Sequence, residues 1–259
     1  MKISNLVFLK IPVISVLITL FITSNVWKSP ANLIPDSGPI VYWLRPILVS
    51  YTYALAIVAI AMLFSDGIFS KFKGKNSSIA RSIFLSLSGI SFAAAVFSLA
   101  QSLSQPLSLA ANIEVIATYG WDVSNVRALL LISLTALLSF LLLIKPNIDK
   151  SGLVVFLSVI SLSLPTLFSH GGGVATHSWA VTAGLFHGIF TGLWVSGLTG
   201  IGIIYLDKTN SDQAKLNALH KFSYIANISV FGLAVSGVVN AATRLNSVNE
   251  LLTTSYGQI

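Results

Sequence analysis

In a chain of 259 residues, 54% are apolar and only 9% are charged, which excludes an ordinary water-soluble domain. No cysteine is present, so disulfides, thiolate metal sites and thiol nucleophiles are excluded together. The net charge of +7 does not point to nucleic acid, because the basic residues fall in short breaks between apolar runs and not on one amphipathic face.

Crossing a hydrocarbon core takes about 20 residues of helix, and seven apolar stretches come close to that length: 7–25, 40–64, 80–102, 126–145, 152–168, 180–206 and 221–243. The expectation is an all-α, polytopic transmembrane bundle of about seven helices, a single integral membrane domain over residues 1–259. Lys2 and Lys10 precede the first stretch as they would in a signal peptide, but no small-x-small cleavage pattern follows around Thr23 to Trp27, and a retained helix is the reading. With a cytoplasmic N-terminus, the inner segments collect Lys2, Lys10, Lys71, Lys73, Lys75, Arg81, Lys145, Lys150, Lys208, Lys215 and Lys221. Only Lys28, Arg45, Arg127 and Arg244 remain outside, the asymmetry expected of cytoplasmic loops. Trp27, Trp43, Trp121 and Trp179 then fall at outer helix ends, where amphipathic rings prefer to sit, and Trp194 lies deeper. Arg45, beside Pro46 in the second stretch, needs a partner, and an outer ion-pair cluster with Asp36, Glu114 or Asp122 is the simplest one. The longest connections are 103–125 outside and 207–220 inside; the charged run from Asp207 to Lys221, with His220, reads as a solvated cytoplasmic turn.

The stretch SHGGGVATHSWAVTAGLFHGIFTGLW, residues 169–194, holds three of the four histidines. At about 1.5 Å of rise per residue, His187 sits on the order of 12 Å below the outer belt at Trp179. An ionisable side chain at that depth is costly and marks a pathway or site facing the bundle interior; the plainer alternative is a neutral histidine bonded to a neighbouring helix. Gly184, Gly188 and Gly192 form a four-residue ladder that admits a second helix at close range. The ladder is rotated by about 100° from His187, whose own face carries Thr191 and Trp194. The last stretch offers a polar stripe of Ser229, Ser236, Asn240 and Arg244, open to two readings, ligand contact or interhelical hydrogen bonding. His170 and His177 flank GGGVAT, whose glycines lower the cost of bending the chain toward a shared ion. Imidazole suits copper, zinc, iron or nickel, and spacing does not choose among them. The only methionines are Met1 and Met62, so a thioether relay has no material and any metal site must be led by histidine.

From about His177 to residue 258 the sequence resembles the membrane domain of the copper resistance protein D family, CopD. The resemblance is carried by His187 followed by GLWVSGL at 192–198, by FSYIANISVFGLAVSGVVNAATRL at 222–245 and by LLTTSYG at 251–257. It implies a bacterial cytoplasmic-membrane protein engaged in copper uptake or homeostasis, with an extracytoplasmic copper-binding partner of the CopC type. By position, His187 matches the family's intramembrane histidine and Trp194 the tryptophan seven residues later. Ser236 and Gly237 match its Ser-Gly pair, and Tyr256 and Gly257 its Tyr-Gly. Ser196 departs from the pattern, standing where relatives carry the first of two glycines, and relatives continue into another helix beyond the position of Ile259. On this reading His170 and His177 capture a copper ion outside, His187 receives it within the bundle, and Trp194, Ser236 and Asn240 support the site.

Two other classes compete. A haem-bearing membrane oxidoreductase would ligate iron through imidazoles on facing helices, but His187 and His220 differ by about 20 Å in depth. A metal-free assembly module predicts histidines that stay far apart in the folded bundle. Without an HExxH motif, a GxSxG elbow or paired carboxylates near a histidine, hydrolytic chemistry finds no support, and the chain is read as a non-enzyme.

Overall fold

The computed structural model describes residues 37–70, 74–168 and 177–243. The expected first helix at 7–25, His170, Arg244 and the 251–257 motif lie outside these residues. Among the described residues the structure is helical, without strands, and six helices are long and apolar enough to cross a membrane.

Helix α1, Pro39–Leu63, opens with proline in its first turn after Gly38, whose φ of 92° suits glycine. It runs directly into a π-helical turn, Phe64–Ile68. Helix α2, Lys75–Leu103, starts after left-handed Gly74 and stops at left-handed Ser104. Two short helices, α3 (Leu107–Ala110) and α4 (Ile113–Tyr119), fold the connection expected at 103–125. Helix α5 is Ser124–Leu142, and α6 is Ile148–Leu167, capped by Asn147, whose side chain accepts the Lys150 amide at 2.8 Å. Helices α7, His177–Leu206, and α8, Asp212–Ala242, form the final hairpin.

The inner connection differs from expectation. Residues 212–221, His220 included, are not a turn but the first part of α8. The Ser211 side chain accepts the Ala214 amide, and Asp212 stands in the first turn where a carboxylate favours the helix dipole. Apolarity marks only the part of a helix that meets lipid; capping sets where the helix begins.

Helix α1 packs against α2, α6 and α7, while α8 lies at the edge, principally on α7. The core between them includes Ala59, Ile60, Met62, Leu63, Phe64, Phe84, Ile132 and Val154. Phe64 stacks on Phe69, and Phe69 meets Phe222 edge-on at 6.1 Å, tying the C-terminal end of α1 to α8. Leu134, Phe156, Phe231 and Val238 are exposed on the outside, as a bilayer environment requires. Because the six spans alternate in direction, Lys75, Arg81, Lys145, Lys150, Lys208, Lys215 and Lys221 gather at one end, with Arg45 and Arg127 toward the other.

Candidate functional site

His187 lies half-buried on α7, its Nδ1 3.1 Å from Ser236 Oγ on α8. The same hydroxyl oxygen lies 2.6 Å from the carbonyl of Gly232, one turn back on its own helix. A serine has a single proton to give. With that proton on the Gly232 carbonyl, Ser236 Oγ accepts from His187 Nδ1–H, and the imidazole lone pair is left on Nε2.

The register that brings these groups together is set by a size match below them. Gly232 faces the Phe190 ring so closely that a Cβ there would collide with it. Phe190 therefore seats against bare backbone, and His187, almost one turn outward on α7, arrives opposite Ser236. Further along the hairpin, Gly197 meets the Phe222 ring, 2.9 Å from where a Cβ would stand.

The glycine ladder does face another helix, namely α6. A Cβ at Gly184 would lie 3.6 Å from Thr166 Cβ, one at Gly192 3.6 Å from Leu162 Cδ1, and one at Gly188 only 2.8 Å from Ser163 Cβ. Thus α7 packs by one stripe against α6 and presents His187 by the next stripe to α8. Ser196 extends the ladder by one more step; it is fully buried, and its hydroxyl has no hydrogen-bond partner among the described residues.

The other expected residues are less tightly drawn in. Asn240, one turn outward of Ser236, is half-buried, and its Oδ1 is a buried acceptor without a partner among the described residues. Ser229, two turns inward, is buried with an unpartnered hydroxyl. Trp194 is 38% exposed. The α7 backbone begins at His177, so about 15 Å of helix axis separates it from His187. The side chain of His177 and the whole of His170 lie outside the described residues. Among the described residues no group of three or more His, Cys, Asp or Glu side chains could hold a metal. His220 is exposed on α8, sixteen residues before Ser236 and so about 24 Å along the helix from it, which rules out a haem held between His187 and His220.

Of the three carboxylates expected to pair with Arg45, Asp36 lies outside the described residues. Arg45 Nε donates to Ser98 Oγ at 3.1 Å, and among the described residues no ion pair joins it to Glu114 or Asp122. Both carboxylates point to solvent, on α4 and on the segment after it, whereas Ser98 is buried on the facing helix. Arg127 instead lays its guanidinium over the Phe168 ring, 4.3 Å from the centroid.

A polar group that sequence reasoning passed over is Asp66, 3% exposed in the π-helical turn. Its Oδ2 accepts the Ser77 amide at 2.9 Å and the Ser77 hydroxyl at 2.7 Å, so it caps α2 from a neighbouring segment. The only trace in the sequence is an aspartate eleven residues ahead of a Ser-Ser pair.

No family model, curated protein or solved structure matches the chain.

Proposed function

We propose that this chain handles copper, taking part in copper uptake or homeostasis across a bacterial cytoplasmic membrane, and is not an enzyme. The observation that carries the reading is the His187–Ser236–Gly232 chain of hydrogen bonds. An imidazole binds a metal only through a neutral ring nitrogen, and its other nitrogen normally donates to an oriented acceptor. Ser236 fits that acceptor role, and Nε2 is then the nitrogen that meets the ion. The likeness of residues 177–258 to the CopD membrane domain supports copper over zinc, iron or nickel. His170 and His177 deliver the ion from the outer face, where a small copper-binding protein of the CopC type supplies it.

Metal analysis of the purified protein beside a His187→Ala variant is the test, with a visible absorption spectrum of each. Copper bound by the wild type and lost from the variant is the expected result. Equal copper in both leaves His187 as a packing residue and favours the metal-free assembly reading; a Soret band favours the haem reading.

A further inference from the structure

The lysine-rich end carries a constellation that copper handling does not use. A concavity of about 600 Å³ opens on the outside of the bundle, lined by Ile68, His220, Lys221, Ser223, Tyr224 and Asn227. At its edge Lys221 Nζ donates to the carbonyl of Ile68 at 2.9 Å, a carbonyl at the end of the π-helical turn. That bond fixes the ammonium in place and uses one of its three protons, leaving two for a further acceptor.

His220, Ser223, Tyr224 and Asn227 follow one another at helical spacing on a single face of α8, and all four are exposed. For a face turned to a bilayer this is costly, since an asparagine side chain in contact with hydrocarbon loses its hydrogen bonds to water. Farther toward the outer end, the exposed residues become Ile228, Phe231 and Val235. The surface is therefore cationic at the helix end, hydrogen-bonding over the next turns and apolar beyond. That order runs along the membrane normal, as phosphate, glycerol ester and acyl chain do in a phospholipid. Around the concavity the charges of the hairpin cancel, Asp212 being engaged by Lys215 at 3.6 Å and Asp207 standing beside Lys208, so the Lys221 ammonium is the uncompensated charge there.

We propose that this concavity binds an anionic phospholipid of the adjacent leaflet, its phosphate on Lys221 and its glycerol region on Ser223, Tyr224 and Asn227. The site is independent of His187.

The 259-residue chain, incubated in detergent with equal phosphatidylglycerol and phosphatidylcholine and examined by native mass spectrometry, tests this. Wild type retains phosphatidylglycerol in preference. Lys221→Gln lowers the preference by about fivefold, the share of one basic group near an anionic surface, Lys221→Arg restores it, and Lys150→Gln on α6 leaves it unchanged. Asn227→Leu, at an exposed position with no packing to lose, also lowers it. Equal retention of both lipids by wild type, or an undiminished preference in Lys221→Gln and Asn227→Leu, overturns the proposal. So does displacement of the lipid by glycerol phosphate at equal concentration, which would make the site one for free phosphate.

Discussion

His187 and Ser236, forty-nine residues apart in sequence, stand 3.1 Å apart across the α7–α8 seam, and the serine proton is already committed to Gly232. The hydroxyl is therefore an orienting acceptor for the imidazole. If His187 binds copper as proposed, Ser236→Ala should leave the fold intact yet weaken that binding about 10- to 100-fold, the usual cost of removing the partner of a metal-ligating histidine. Ser236→Thr, which keeps the hydroxyl, should recover most of the affinity. Competition titration with a copper chelator measures both, and unchanged affinity in Ser236→Ala would remove the serine from the site.

The contact between Gly188 and Ser163 predicts a stability effect unrelated to metal. A side chain at position 188 enters space held by the Ser163 Cβ and Cα. Gly188→Val should cost about 1–3 kcal/mol through overpacking, read as a lower midpoint in thermal unfolding in detergent. Gly152→Ala, where a Cβ meets nothing within 4 Å, should be neutral or stabilising by up to about 1 kcal/mol.

Asp66→Ala should destabilise the lysine-rich end of the bundle. It strips the buried Ser77 amide of its acceptor and leaves the Ser77 hydroxyl only the long contact to Ser151 Oγ at 3.4 Å, at a cost of about 1–3 kcal/mol. Faster amide exchange in the first turn of α2, with α7 and α8 unaffected, is the expected signature.

Topology can be read directly because the natural chain has no cysteine. Trp121 and Lys208 are both exposed, at opposite ends of the bundle. In intact cells an impermeant thiol reagent should label Trp121→Cys and spare Lys208→Cys, as the distribution of lysines requires. The reverse pattern would invert the orientation.

The turn between α7 and α8 gives a pH prediction. The Thr209 amide, and after it the Thr209 hydroxyl, hold the Asp207 carboxyl below its ordinary range. A depressed carboxylate stabilises the fold above its unfolded pKa of about 3.9, and that stabilisation is lost as the pH falls through the lower folded value. Between pH 5 and pH 7 (about the working range for such a protein) amide exchange at Thr209 should vary only with its intrinsic chemistry. Below about pH 4 its protection should decline, and Asp207→Ala should lack that protection at every pH.

The spans from α1 to α8 were legible in the sequence because hydrocarbon admits only long apolar helices, so α1, α2, α5, α6, α7 and the apolar part of α8 had to appear as continuous runs. The glycine ladder was legible for a similar reason, since helical periodicity alone places Gly184, Gly188 and Gly192 on one stripe and His187 on another. Three things needed the tertiary structure. The start of α8 depends on the Ser211 cap and not on hydropathy; the partners of Arg45 and Asp66 depend on which helices face one another; and the choice of Ser236 over Asn240 for His187 depends on register. That register follows from Phe190 seating on Gly232, a match between a large and an absent side chain on two helices, and no pattern within either helix alone specifies it.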